Sequence, residues 1–390
     1  MNTSSSAADA SDGVRIPRVY GIDLGATSTS IAYVNENGVP TVVANAEGEL
    51  ATPSVVFFES PTEVIVGKEA QNNALISPDL VVEMVMRHMG NSSWRFSYND
   101  ILYTPEELSS YILRKVVNGA EVAIGETITD VVITCPAYFD LAQREAIKTA
   151  GALASLKVWE VVEAPVCAAI AYSLQNEGEQ TALIYDLGGC TLDLAVVEIK
   201  NGSLSVLVCL GDHHLRGRDW DETVVNWVSE EWMRKTGSSD DPRQDYLALQ
   251  DLWAHAEAAK LALSHRTQVR ISLTHAGLTA TIVLTRQKFD ELTAGLLDRT
   301  VHITRSALGI AAQKEYASID TMLLIGNATA MLQVSPRLRA AFANDNLAPQ
   351  YFDPGLAVVK GAAIYGQRLA VADTISRTLR NDAPRVIQLP

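Results

Sequence analysis

The sequence predicts an α/β protein built from two related lobes that hold a ligand between them. At 390 residues, the chain exceeds the ~250–300 residues at which a single hydrophobic core stops growing. Two stretches, GIDLGATSTSIAYV from Gly21 and IYDLGGCTLDLAVV from Ile184, align without a gap. Strand-rich and then helix-rich sequence follows each of them, and this repeated order indicates a duplication.

The composition is that of a folded protein with an acidic surface. Apolar residues make up 47% of the chain, charged residues 20%, and the formal net charge is −15. An acidic chain repels phosphate backbones and anionic lipids, so we expect neither nucleic acid nor a membrane as a partner. No run of about 18 apolar residues occurs, and the start MNTSSSAADASDGVRIP lacks the apolar segment of a signal peptide. We therefore expect a cytoplasmic protein with a disordered tail over residues 1–16.

The cysteines carry no metal or redox pattern. Cys135, Cys167, Cys190 and Cys209 are widely spaced, and no CxxC occurs. We therefore expect buried thiols in a reducing compartment.

Each repeated stretch predicts a β-hairpin. A β-rich run starts at residue 19, small residues at 25–28 form a turn, and a second run reaches residue 34. The same plan returns over residues 183–199, with the turn at 188–191. Both hairpins therefore place a glycine-containing turn directly after a strand that ends in Asp-Leu.

The residue types in these turns indicate a site for phosphate and its metal ion. Turn glycines leave backbone N–H groups free to bind an anion, and the hydroxyls of Thr27 and Thr191 add donors. Asp23 and Asp186 stand at matching positions and can hold a hydrated Mg²⁺, which contacts proteins through few ligands. Two facing hairpins would then clamp a nucleoside triphosphate. The alternative is a pair of glycine-rich hairpins with capping aspartates, and neither GxGxxG nor GxxxxGK[ST] is present.

Helical periodicity appears between and after the hairpins. A buried strand ends at Pro136, a helix begins near Leu141, and Pro165 suits the first turn of another helix that ends near Leu174. Later, LWAHAEAAKLALSHR predicts a helix with three polar residues on one face: Glu257, Lys260 and Ser264. That face is either a binding face or a solvated salt pair.

Nine stretches then carry a family resemblance. They are GIDLGATSTS, ATPSVVFF, VVITCPAYFDLAQREAIKTAGALASL, AAIAYSL, IYDLGGCTLD, GDHHLRGRDWD, EAAKLALS, LTRQKFDEL and FDPGLAVVKGAA, and they span Val19 to about Leu369. In this order they closely resemble the nucleotide-binding domain of the DnaK-type, seventy-kilodalton heat-shock chaperones. The resemblance implies an actin-like ATPase fold, in which duplicated ribonuclease H-like lobes enclose ATP or ADP with Mg²⁺.

The resemblance also implies roles for the residues at matching positions. The acidic residues around Mg²⁺ correspond to Asp23, Asp186 and Asp193. The phosphate loops correspond to Gly25, Thr27, Gly188, Gly189 and Thr191. The adenosine-binding helix corresponds to Glu257, Lys260 and Ser264, and Gly326 and Asn327 are expected to bind the nucleotide as well. Among all of these, the expected catalytic residues are Asp193, Thr191 and Thr27.

Several positions on the reaction side depart from the family pattern. Met86 replaces the lysine of KRxxG, Ala164 the glutamate of NEPT, and Ala26 the first threonine of LGTT. Other replaced positions are Cys190, Asn327, Ala328, Ala330 and Gly355. Loss of one positioned donor or cation typically costs about 10²–10³ in rate, so we expect weak or absent hydrolysis. The alternative is a competent ATPase with substituted groups, for which Glu163 and Arg87 are candidates.

Domain limits and partners are expected from the same resemblance. Lobe I covers 17–176, lobe II 177–355, and a C-terminal helix over 356–380 returns to lobe I. Residues 381–390 form a linker-like tail, and no substrate-binding domain follows in this sequence. Expected partners are client polypeptides, J-domain co-chaperones and nucleotide exchange factors. Two alternatives are an actin-fold small-molecule kinase and a filament-forming actin relative.

Overall fold

The computed structural model describes residues 16–381 except 75, 177, 201–202, 213–214, 315–317 and 344–346. Of the two predicted tails, 1–16 and 381–390, only Ile16 and Asn381 lie within the described residues. The strands are β1 (Tyr20–Leu24), β2 (Ser28–Val34), β3 (Pro40–Val42), β4 (Thr52–Pro53), β5 (Val56–Ser60), β6 (Glu63–Val66), β7 (Val81–Val82), β8 (Phe96–Tyr98), β9 (Ile101–Tyr103), β10 (Asp130–Cys135), β11 (Lys157–Glu163), β12 (Gln180–Leu187), β13 (Leu192–Lys200), β14 (Ser203–Asp212), β15 (Gln268–His275), β16 (Leu278–Thr285), β17 (Thr321–Ile325) and β18 (Pro349–Tyr351).

The α-helices alternate with these strands. They are α1 (Lys68–Asn73), α2 (Pro105–Ile124), α3 (Leu141–Leu153), α4 (Ala164–Ser173), α5 (Gly217–Thr236), α6 (Tyr246–Leu263), α7 (Arg286–Gln313), α8 (Val334–Ala341) and α9 (Ala357–Asn381). Short 3₁₀ turns occur at Pro78–Leu80, Val85–His88, Pro242–Gln244 and Asn327–Ala330.

Two sheets with the same strand order confirm the predicted duplication. The first sheet runs β11-β10-β1-β2-β3, and the second runs β18-β17-β12-β13-β14. In each, the first strand of the hairpin pairs antiparallel with the next strand and parallel with its other neighbour. Equivalent positions therefore occupy equivalent places in the two sheets.

The register of the two hairpins places the predicted acidic residues at matching points. Asp23 of β1 lies opposite Ser30 of β2, and Asp186 of β12 lies opposite Asp193 of β13. Both strands end one residue later, at Leu24 and at Leu187, where the backbone turns. The two turns consequently face each other at the carboxyl ends of the central strands.

The predicted helices begin close to the expected residues because their first turns are capped. The side chain of Asp140 accepts from the backbone of Gln143, and the side chain of Gln143 accepts from the backbone of Asp140, so α3 starts at Leu141. Pro165 stands in the first turn of α4, as the sequence predicts, since proline lacks only an N–H that would stay unpaired there. One correction concerns Ser264, which was placed on a helix face but lies just after the end of α6.

The hydrophobic core is divided among three main clusters. One lies under the second sheet against α5, α6 and α7, and another lies under the first sheet against α2 and α3. The third fills the space between the sheets and is built mainly by α4 and α9. Helix α9 thereby returns to β1 and holds both sheets against a shared apolar layer.

The structure shows how deeply the four cysteines are buried and whether any described helix could span a membrane. Cys135, Cys167 and Cys190 are buried free thiols, whereas Cys209 is only partly buried, which corrects the expectation for that residue. Among the helices of the described residues, none combines the length and the apolar character required to cross a bilayer.

Candidate functional site

One cleft opens where the central strands of the two sheets end. Its volume is about 370 Å³, and it is lined by residues from both sheets and from α6. Apart from Glu163, the site residues that the sequence singled out line this cleft: Asp23, Gly25, Ala26, Thr27, Met86, Ala164, Asp186, Gly188, Gly189, Thr191, Asp193, Glu257, Lys260, Ser264, Gly326 and Asn327. The structure therefore brings this set together, while the chemical role of each residue stays a prediction.

The two glycine-containing turns approach each other directly across the cleft. A side chain on Gly189 would have its Cβ 2.7 Å from the methyl group of Thr27, so this position requires glycine. The second turn is closed by the Gly188 N–H, which donates to the Thr191 carbonyl at 2.9 Å. It also accepts from the first N–H groups of α5, since Gly217 donates to Gly188 at 3.0 Å. The turn is thus held rigidly between β12 and α5.

Three carboxylates converge beneath these turns. Asp186 is 9% exposed and Asp193 is 2% exposed, and the backbone N–H of Ala137 donates to Asp193 Oδ1 at 2.7 Å. Burial raises the pKa of Asp193 to about 6, although hydrogen bonds from Thr191 and Ala137 oppose the shift. Burial also raises the pKa of Asp186 well above its usual range, and the charges of Asp193 and Asp23 add to this effect.

Asp23 completes this group from the opposite lobe. It accepts a hydrogen bond of 2.7 Å from the Thr134 hydroxyl at the end of β10. Burial raises the pKa of Asp23, and the bond from Thr134 partly offsets that rise. The three carboxylates therefore form one region of concentrated negative charge, which a cation would stabilise.

The donor set of this region fits Mg²⁺ held mainly through its water shell. Within the described part of the chain, no group of three acidic, histidine or cysteine side chains is arranged to hold a metal ion directly. Mg²⁺ dehydrates reluctantly and is commonly bound through one or two carboxylates together with substrate phosphates. Asp23, Asp186 and Asp193 offer carboxylates from both sides of the cleft, as such an ion requires.

The far wall of the cleft follows β17. Gly326 has a φ of 79°, and a Cβ there would collide with the Asp186 carboxylate and the Leu187 backbone. The backbone N–H of Gly326 donates to the Pro354 carbonyl at 2.8 Å, which fixes the loop. Asn327 begins the 3₁₀ turn Asn327–Ala330 and lines the same wall. This wall therefore presents small side chains to the cleft.

Helix α6 presents Glu257 and Lys260 to the cleft, with Ser264 just beyond its end. Lys260 donates to the carboxylate of Asp221 at 2.6 Å and to the Gly217 carbonyl at 3.1 Å. Asp221 is 5% exposed, its Oδ1 has no hydrogen-bond partner, and burial raises its pKa to about 6. Lys260 therefore does form a salt pair, which was the alternative interpretation of this helix face. Its partner is Asp221 of α5 and not Glu257.

The segment around Met86 packs in the first lobe, lines the cleft and contacts the second lobe through Met84. Met86 is 4% exposed and belongs to the hydrophobic core of the first lobe. The preceding Met84 has a φ of 59°, and the thiol of Cys190 donates to its sulfur at 2.9 Å. An apolar side chain at position 86 thus offers neither charge nor a hydrogen bond to a ligand in the cleft.

Glu163 does not fill the place that Ala164 leaves. Ala164 lines the cleft at the start of α4, whereas Glu163 lies outside the lining. The Glu163 carboxylate accepts from the guanidinium of Arg144 at 2.5 Å, and both side chains are about one-quarter exposed. One residue of displacement at this strand-to-helix corner turns the side chain toward α3, so Glu163 is a poor substitute for the expected glutamate.

Sequence reasoning missed three residues that shape the cleft. Asp221 holds Lys260, Tyr138 lines the wall beside the carboxylates, and Met84 contacts Cys190. Asp221 and Tyr138 both lie in stretches that carry the family resemblance, GRDWD and CPAYFD, so the motif itself was the available signal. No local pattern indicates the contact of Met84.

A known protein family matches nearly the whole chain. The family model for the Hsp70 protein matches residues 19–101 and 92–382. This match includes both hairpins, helix α6 and the segment around Met86. The fold is accordingly that of the actin-like ATPases, in which a nucleotide occupies the cleft between the lobes. The chain belongs to the Hsp70 protein family and carries its nucleotide-binding domain.

Proposed function

We propose that this domain binds ATP and ADP together with Mg²⁺ in the cleft and hydrolyses ATP only slowly. The main support is the convergence of the predicted phosphate, metal and adenosine residues on one cleft of about 370 Å³. Nucleotide binding itself follows from family membership, whereas the metal, the individual contacts and the rate are parts of the proposal.

The two turns would hold the phosphates. Gly25, Gly188 and Gly189 present backbone to the cleft, and Thr27 and Thr191 add hydroxyl donors. Backbone N–H groups in such turns stabilise phosphate oxygens without adding side-chain entropy costs. The close contact between Thr27 and Gly189 means that both turns can act on one phosphate chain.

The carboxylates Asp23, Asp186 and Asp193 would orient the water shell of Mg²⁺, which supplies charge neutralisation at the phosphates. Glu257, Lys260 and Ser264 would contact the adenosine, with Gly326 and Asn327 on the opposite wall. Because Lys260 is already held by Asp221, its ammonium group is positioned before the nucleotide arrives.

Slow hydrolysis is supported by the residues that replace the expected catalytic groups. Phosphoryl transfer depends almost wholly on positioned charge and on the alignment of the attacking water. Met86 and Ala164 can provide neither, and Ala26 lacks the expected hydroxyl. The retained groups Asp193, Thr191 and Thr27 still line the cleft, so binding and some residual hydrolysis are expected together.

Closure of the two lobes around nucleotide would be the output of this domain. Helix α9 and helix α4 connect the sheets through a shared apolar layer, so a change in lobe angle would reach both. By family membership, client polypeptides and co-chaperones of the J-domain and nucleotide-exchange types are the proposed partners, and the −15 charge opposes binding to nucleic acid and to anionic membranes. The four free thiols suit a cytoplasmic location.

Calorimetric titration and a single-turnover assay test this proposal together. Mg²⁺ with ATP or ADP should bind once per chain, and bound ATP should stay largely intact. Asp23→Ala should weaken binding in Mg²⁺, whereas Glu36→Gln, at an exposed turn, should leave it unchanged. Absence of binding at millimolar nucleotide would overturn the proposal. Fast conversion of bound ATP would instead favour the competent ATPase.

A further inference from the structure

The positive charge of the cleft is supplied by two side chains within the described residues. Of the residues that line it, only Lys260 and Arg87 are lysine or arginine. Lys260 is bound to Asp221 at 2.6 Å and to the Gly217 carbonyl, at the adenosine side. Arg87 is exposed, and its guanidinium makes no ion pair or hydrogen bond with the part of the chain that the structure describes, while its backbone N–H donates to the Met84 carbonyl at 3.0 Å. Its guanidinium is therefore the cation of this cleft that has no partner among the described residues.

Arg87 lines the cleft together with residues of both phosphate turns. It belongs to the 3₁₀ turn Val85–His88 and directly follows Met86. Burial raises the pKa of Tyr138 and of Cys190, and the charge of Arg87 opposes both shifts. Arg87 and Cys190 of the second turn line the same cleft, so the positive charge of Arg87 acts at that turn.

Two other arginines near Cys190 are already committed to protein partners. Arg216 donates through Nε to Asp219 at 2.9 Å, and both side chains are largely buried. Arg218 lies 3.7 Å from the Glu83 carboxylate, and its guanidinium is 4.4 Å from the centre of the Trp253 ring. Neither arginine lines the cleft, and both are held by protein groups near the second turn. Arg87 is therefore the arginine that faces a ligand in the cleft.

We propose that Arg87 binds the terminal phosphate of ATP and so replaces, for binding, the lysine whose position is occupied by Met86. A guanidinium presents paired N–H donors that match two phosphate oxygens and stays charged at all relevant pH values. It provides the charge that the thioether of Met86 cannot. The inference rests on the proposed function, because it assigns a residue to the same nucleotide site.

This contact makes the affinity for ATP depend on Arg87 more than the affinity for ADP does. A charge-assisted contact of this kind typically changes affinity by about 10- to 100-fold. Arg87→Ala should therefore weaken Mg²⁺–ATP binding by at least about tenfold while ADP binding changes little. Arg87→Lys should recover part of the difference, because it keeps the charge and loses the paired geometry.

Calorimetric titration of the full chain with ATP and with ADP, each in Mg²⁺, measures this difference directly. Arg95→Ala is the matched control, since Arg95 is exposed, donates only to nearby backbone carbonyls and lies outside the cleft lining. Circular dichroism checks that each variant is folded. A selective loss of ATP affinity in Arg87→Ala alone supports the inference. If the unsubstituted protein binds both nucleotides, then an equal loss of affinity for ATP and ADP in Arg87→Ala, or no loss, overturns the inference. If the unsubstituted protein binds neither nucleotide, the proposed function itself is overturned.

Discussion

Asp193 carries a carboxylate in an almost closed environment, and its replacement by asparagine gives a quantitative test of the cleft. The pKa of Asp193 rises from 3.8 to about 6 in the folded protein, mainly because of burial. The folded protein therefore binds more protons than the unfolded chain between these values. The contribution of this group to stability accordingly falls as the pH rises through that window.

The size of the effect follows from the same values. The difference between 3.8 and about 6 corresponds to roughly 3 kcal/mol of destabilisation at pH 7.5 in the ligand-free protein. Asp193→Asn removes the charge and keeps an oxygen that accepts the 2.7 Å bond from Ala137. With about 2.1 cal/mol/K of unfolding entropy per residue over 390 residues, the gain corresponds to about 4 °C in Tm.

Differential scanning calorimetry without nucleotide or Mg²⁺ measures this gain. At about pH 5 the gain should shrink to roughly half, because the carboxylate is already mostly protonated in the folded protein and only its ionisation in the unfolded chain still contributes. Groups outside the cleft titrate equally in both proteins and cancel in the difference, whereas the pKa of Asp186 falls when the charge of Asp193 is removed, which adds to the gain. Glu36→Gln is the control at an exposed turn. A Tm that does not rise at pH 7.5, or a rise that is as large at pH 5, would refute the description of a buried charged site.

Changes at other cleft residues separate binding, hydrolysis and packing. Met86→Lys should raise the single-turnover rate of ATP hydrolysis with little change in affinity, and adding Ala164→Glu should raise it further, since the two groups act together on one transition state. Unchanged rates would show that these positions do not limit hydrolysis. Asp186→Ala should weaken nucleotide binding by calorimetry in Mg²⁺ but not in EDTA; equal weakening in both would make it a packing residue only. Gly326→Ala should lower Tm by more than Gly38→Ala, because both glycines have a positive φ but only Gly326 is crowded by neighbouring atoms. Equal effects on Tm would contradict that close approach.

Much of the fold could be predicted because it is encoded locally and repeated. The Asp-Leu-Gly turns of the two hairpins, the capped start of α3 at Asp140 and the proline at the start of α4 are all readable from short windows. The family resemblance then ordered these pieces, and the candidate residues that it indicated line one cleft, while their roles stay predictions. Family membership and the actin-like fold are confirmed by the match over residues 19–382.

What the sequence could not provide are pairings between distant segments. Lys260 meets Asp221 across two helices, and Glu163 turns to Arg144 of α3. Such choices depend on how helices pack, and no local spacing records them. The position of the Arg87 guanidinium is of the same kind, because no local pattern shows that it is exposed at the cleft without a partner among the described residues.

The fate of bound ATP is the measurement that tests the central claim most directly. The full chain is mixed with radiolabelled ATP and Mg²⁺, separated from free nucleotide, and sampled over time for bound ATP and bound ADP. The account predicts that label is retained by the protein and stays mainly as ATP, since the cleft keeps its phosphate turns and carboxylates but has Met86 and Ala164 on the reaction side. Absence of retained label, or its rapid conversion to ADP, would contradict it.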